Sequence, residues 1–362
     1  MSFHSVRDQE TAIRLLQNLL VRQRVPNGLM FWGPEGVGKR MTALELTKAV
    51  HCRTQSGDAC DSCLPCRKVA HGTHPDVKVV SPIKTSRIIH LETMRELGEM
   101  AYLRPFESEW RVFLILDAER MTIDAQDYFL KTLEEPPGRS MFILVTEYPR
   151  RVLPTIRSRC QLVRFRTLKI DTVAEYLRRE RDLPPELAAS FAALSQGQIS
   201  RALDLLDSEK RDIVLAIIRR LVEGADPVVL SEEFTQHLKQ ERESIEASVK
   251  ATLGFEAADE LSREDMEALK ERRVAEQNAL IKRKIMEYLY LMETWYRDEF
   301  VYSVTRDRSR LLNRDRAESF AAKVSTDAGM KIRAVEKARY YLDRFVNEER
   351  VFRDLFFALA AP

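Results

Sequence analysis

Seven residues near the N-terminus carry the most recognisable chemistry in the chain. Gly33-Pro34-Glu35-Gly36-Val37-Gly38-Lys39 fits the pattern G-x-x-x-x-G-K. In such a loop the glycines let backbone N–H groups turn toward phosphate, and the lysine reaches the β and γ oxygens from a helix N-terminus. The next position of the pattern supplies a hydroxyl to Mg2+, and Arg40 stands there instead. A guanidinium has no acceptor and repels a metal ion. Thr42 is no substitute, because two helical steps turn it about 200° from position 40. A nucleotide-hydrolysing site also needs an acidic element at the end of a second strand, one carboxylate for the metal and its neighbour for water. The run Leu114-Ile115-Leu116-Asp117-Ala118-Glu119 contains no adjacent Asp-Glu pair. Two defects at separated places point to a nucleotide fold that no longer hydrolyses. The competing reading is a working ATPase with unusual ligands.

Cys52, Cys60, Cys63 and Cys66 form C-x7-C-x2-C-x2-C. Four thiolates so close together match a closed, tetrahedral, structural zinc site, the x2 spacings forming a knuckle around one ion. An iron–sulfur cluster or unliganded thiols are the alternatives. His71 and His74 are near enough to join the shell, although Gly72-Thr73-His74-Pro75-Asp76 reads better as a turn. Cys160 stands apart and reads as a buried small apolar residue.

These groups need elements to hold them. "GLMFWG" feeds the glycine loop and a helix, while "VFLILD" and "MFILVTE" are apolar β-rich runs of the kind that form parallel sheets covered on both faces. The expected fold is therefore an α/β domain over residues 1–167, with the cysteine module (52–66) inserted in it. From about residue 170 short amphipathic helices with Pro and Gly punctuation predict a small helical domain over 168–210. A third, all-helical domain is expected over 211–362, where apolar spacing gives one buried face. Residues 261–284, dense in both charge signs, suit a long solvated helix. With 362 residues, several cores are expected. The balance of 58 basic and 56 acidic side chains makes any nucleic-acid contact a matter of local patches. Apolar runs are too short to span a bilayer, and "MSFHSVRDQE" lacks a secretory apolar core, so a cytoplasmic, reducing compartment is expected.

Taken in order, the glycine loop, the cysteine module, "GTHPD", "KTLEEPP" (131–137), "VTEYP" and "IRSRC" (156–160) resemble the clamp-loader branch of the AAA+ ATPases. The resemblance covers about residues 1–210. It implies a P-loop α/β domain, a helical lid and a collar, set in a ring-like five-subunit assembly that loads a sliding clamp onto primer–template DNA. The implied partners are motor subunits of the gamma/tau type, a delta subunit, the clamp and the DNA. Within that branch the chain is similar to the stationary member, whose own nucleotide site is impaired. The resemblance assigns a degenerate nucleotide site to Gly33, Gly36, Gly38, Lys39, Asp117 (the second acidic slot) and Thr146 (a sensor position). Bound ATP and Mg2+ are doubtful there. The motor's sensing arginine aligns with Ser200, and Arg201 lies one step along. Arg159 corresponds to an arginine finger acting on a neighbour's nucleotide; its ordinary reading is a surface or ion-paired arginine, as for Arg157 and Arg164. Lys131 and Pro136-Pro137 are architectural. An active motor of the gamma/tau type, and a zinc-dependent nucleic-acid binder outside replication, are the rivals.

Overall fold

The computed structural model describes residues 2–54, 57–82, 88–253, 263–321, 327–344 and 346–360. The chain forms two compact units: Met1–Tyr176 with Gln196–Arg201, and Leu177–Ser195 with Ala202–Pro362.

The first unit is built on five parallel strands: β1 (Gly28–Trp32), β2 (Val77–Val80), β3 (Arg111–Ile115), β4 (Ser140–Thr146) and β5 (Gln161–Arg164). Their order is β2-β3-β4-β1-β5. The register pairs Trp32 with both Thr146 and Arg164, which places the start of the glycine loop between the ends of β4 and β5. Helices α1 (Glu10–Val21), α2 (Lys39–His51), α3 (Leu64–Ala70), α4 (Leu91–Tyr102), α5 (Ile123–Glu134), α6 (Pro154–Arg159) and α7 (Ile170–Arg181) connect or flank the strands. Strand side chains alternate between faces, and both faces are covered. Leu29, Phe31, Val112, Leu114, Ile143 and Val145 pack with α1 and α2 residues such as Leu16 and Leu46. Met30, Phe113, Ile115, Phe142 and Leu144 pack with α4 and α5 residues such as Leu97 and Phe129. This double burial is why β1, β3 and β4 read as continuous apolar runs. Strands β2 and β5 lie at the two edges with only part of their residues buried. Their weak apolar signal escapes a reading by pattern.

The second unit is helical: α8 (Pro185–Leu194), α9 (Ile199–Leu206), α10 (Lys210–Val222), α11 (Pro227–Leu253), α12 (Arg263–Thr305), α13 (Ala317–Ala321), α14 (Ala328–Asp343) and α15 (Glu348–Ala360). Helices α7 and α9 carry residues of both units. Phe234 anchors its core edge-on to Tyr288 and Phe352. Buried Arg211 donates to Asp315 and Asn313, and Asp298 accepts the N–H groups of Leu312 and Asn313. The charged 261–284 run is helical from Arg263. Residues 254–262, inside the charged 231–285 segment, lie outside the described residues.

Candidate nucleotide and metal sites

Strand β1 delivers the chain to Gly33, Gly36 and Gly38, all with positive φ (149°, 72° and 97°). A side chain at Gly33 would meet the Phe165 carbonyl oxygen at 2.3 Å, and one at Gly36 would meet the Ser200 backbone nitrogen at 2.5 Å. Both glycines are thus required by close backbone approach. The Ile199 N–H donates to the Gly36 carbonyl at 3.4 Å. Gln9 closes another side, its amide donating to Val37 O and Arg166 O while its oxygen accepts from Arg166 N–H.

Lys39 opens α2 and is 8% exposed. Its ammonium donates to Gly33 O at 2.7 Å and Pro34 O at 2.5 Å. Burial lowers its pKa, against the opposing pull of Glu147, Glu119, Glu35 and Asp117. Arg40 is exposed. The Thr42 hydroxyl is buried and donates to Gly38 O at 2.9 Å, so it lies on the helix and not at the loop mouth. Asp117 sits just beyond β3 in the left-handed region at φ 51°. Desolvation raises its pKa, and the charge of Glu119 adds to the rise. Thr146 ends β4 buried, its hydroxyl accepting from the Tyr148 N–H at 3.1 Å.

The structure therefore gathers Gly33, Gly36, Gly38, Lys39, Asp117 and Thr146 at the C-terminal ends of the inner strands β1, β3 and β4. It adds Glu119 and Glu147, whose backbone N–H donates to Glu119. Neither was singled out in sequence, since a carboxylate at a strand end has no local signature. Gln9 left none either, being 157 residues from Arg166. Ser200 occupies the place on Gly36, while Arg201 turns to Gln196.

The sulfurs of Cys52, Cys60, Cys63 and Cys66 all lie within 4.8 Å of one another. A tetrahedral zinc ion with bonds of about 2.3 Å needs sulfurs about 3.8 Å apart, so the donor set fits. The Cys63 N–H points at Cys60 Sγ at 3.3 Å, as in a metal knuckle. The hydroxyls of Ser62 and Thr54 and this N–H hold the Cys60 thiol down at about 5. Lys48, buried against Glu45 at 2.6 Å and Asp61 at 2.5 Å, fastens the module to α2, and Cys66 donates to the Lys48 carbonyl. His74 is not part of this cluster; its Nε2 lies 3.3 Å from the Glu107 carboxylate. Cys160 is buried in the core and its pKa is pushed up to about 12 by burial.

Arg159 ends α6. It donates to Thr155 O at 3.1 Å and pairs with Glu134 of "KTLEEPP" at 2.7 Å. Lys131 lies in the last turn of α5, which runs on to Glu134.

Residues 8–169 match the family described as DNA polymerase III, delta subunit. The delta' subunit of Bacillus subtilis DNA polymerase III is 33% identical over 197 residues, covering 54% of this chain and 59% of that protein. The delta' subunit of Pseudomonas aeruginosa is 33% identical over 178 residues, covering 49% and 54%. Over residues 8–169 the chain is thus similar to delta-type subunits of DNA polymerase III. The gamma/tau subunit of Mycoplasma pneumoniae is also similar, at 28% identity over 222 residues, covering 59% of this chain and 32% of that protein. The matches thus span between a third and three-fifths of these relatives' lengths.

Proposed function

We propose that this chain is a delta-prime-type subunit of the bacterial DNA polymerase III clamp loader that keeps the nucleotide fold for assembly and does not hydrolyse ATP. The observation that carries this reading is the pair Arg40 and Thr42. The position that should offer Mg2+ a hydroxyl presents an exposed guanidinium, and Thr42, two residues on, is buried with its hydroxyl bonded back to Gly38 O. Without a positioned metal, the charge developing on a transferred phosphoryl group is left uncompensated.

Its partners on this reading are gamma/tau-type motor subunits and a delta subunit, with the sliding clamp and primer–template DNA engaged through the complex. Arg159 serves a neighbour's nucleotide, its planar fork leaving Glu134 for the more highly charged γ-phosphate. Residues 168–210 act as a lid and 211–362 as an oligomerising collar. Cys52, Cys60, Cys63 and Cys66 hold zinc, which supplies folding free energy and no chemistry.

Purified chain should hydrolyse ATP negligibly and co-purify stoichiometrically with a clamp-loading motor. The second reading, an active gamma/tau-type ATPase, is favoured by the retained Lys39 and Thr146. Sustained turnover abolished by Lys39→Ala would establish it in place of the first.

A further inference from the structure

We propose that the four-cysteine module braces a second element, the loop Leu103–Glu109, so that zinc occupancy sets the order of that loop. This rests on the assignment of zinc to the four cysteines, and its test separates the two.

The loop follows α4 and presents apolar side chains outward: Phe106 is 82% exposed, with Tyr102 and Leu103 beside it. Its backbone is nonetheless held firmly. Asp76, fully buried, accepts the N–H groups of Phe106 at 2.6 Å, Glu107 at 2.9 Å and Ser108 at 3.1 Å. Arg111 donates to the carbonyls of Met100 and Arg104.

Three further ties converge on Glu107 from the cysteine-bearing stretch and the turn that follows it. Arg53, next to Cys52, donates to Glu107 O at 3.4 Å. Lys68, two residues after Cys66, donates to one carboxylate oxygen at 2.5 Å. His74 Nε2 lies 3.3 Å from the other, and its ring stacks at 4.4 Å on His51, the residue before Cys52. Trp110, just past the loop, packs on the same apolar cluster as Cys52, Cys60 and Cys63. The ends of α2 and α3 are where zinc would fix the chain, and those ends hold Glu107. Releasing the metal frees both ends at once. The loop then keeps its Asp76 and Arg111 anchors and the exposed Glu109–Arg139 pair.

Hydrogen exchange of the full chain, followed at the amides of Phe106, Glu107 and Ser108, tests this. Zinc-loaded protein should protect these amides, and stripping the zinc with a chelator should speed their exchange about 10-fold or more, reversed by adding zinc back. Lys68→Met should speed exchange at the same amides while the protein still carries one zinc per chain by metal analysis. That variant keeps the proposal falsifiable if stripped protein unfolds altogether. Unchanged exchange at these amides in zinc-loaded Lys68→Met, or in folded stripped protein, would overturn the brace. Freshly isolated protein with no zinc would instead sink the zinc assignment.

Discussion

The Arg159–Glu134 pair is 2.7 Å apart with side chains 39% and 43% exposed, and exposed pairs of this kind contribute only about 0.2–1 kcal/mol. Arg159→Ala should therefore shift the melting temperature of the free chain by no more than about 4 °C. In the reconstituted loader the same variant should lower DNA-stimulated ATP turnover about 10-fold or more, because a finger acts on transition-state charge. Arg159→Lys should not restore it, since lysine lacks the bidentate fork. Wild-type turnover and clamp loading by the assembled alanine variant would leave Arg159 a surface ion pair. Asp76 makes a different prediction. Burial raises its pKa, but the N–H groups of Phe106, Glu107 and Ser108 outweigh this and hold it below the ordinary carboxylate value. A depressed folded pKa gives stability that is complete above about pH 4 and is lost as pH falls through the folded value. Asp76→Asn should cost about 3 kcal/mol at neutral pH and flatten the acid limb of stability, read by urea denaturation across pH.

At the scale of elements, the glycine loop packs tightly against its own chain. Gly36 and Gly38 both adopt positive φ, but only Gly36 faces backbone, the Ser200 nitrogen, whereas nothing comes within 3.8 Å of a side chain at Gly38. Backbone strain is thus common to alanine at either place, and only Gly36→Ala adds a clash. In the absence of nucleotide, Gly36→Ala should be less stable than Gly38→Ala by about 1–3 kcal/mol in chemical denaturation. Equal stabilities would mean that residues 199–201 yield freely and do not clasp the loop. The four-cysteine module, with the zinc proposed for it, is the other element whose contribution can be measured. Cys63→Ser should release the metal and lower thermal stability, since metal-binding free energy is folding free energy.

At the scale of the whole molecule, the two units interleave in sequence. Helix α8 sits in the C-terminal unit, where its Ser190 hydroxyl accepts from the Asp315 N–H, its Leu194 carbonyl accepts from the Tyr290 hydroxyl, and Arg211 lies over the Phe191 ring. A fragment ending at residue 210 strands Ala188, Phe191 and Leu194, all buried in the full chain. It should bind a hydrophobic dye and self-associate, whereas a fragment ending at residue 176 should do so far less. Should the 1–210 fragment prove monomeric and dye-silent, residues 168–210 are an autonomous lid.

Local chemistry was legible in the sequence because it is written in contiguous residues. The glycine loop, the cysteine knuckle and the apolar strands β1, β3 and β4 each carry their own pattern, and Arg40 in place of a hydroxyl is plain without any structure. Spacing alone put Thr42 on the wrong side of its helix, where its hydroxyl bonds to Gly38 O. Long-range partners were a different matter. That Ser200 fills the space over Gly36, that Gln9 ties the loop to Arg166, and that Glu134 holds Arg159 depend on residues brought together across 25 to 164 positions. Edge strands β2 and β5 likewise became strands by pairing with β3 and β1, their own residues being only partly buried. Pattern records which face of an element is apolar. Only the folded chain decides which distant backbone or charge comes to lie against it, because that choice is made by the packing of the sheet and its covering helices.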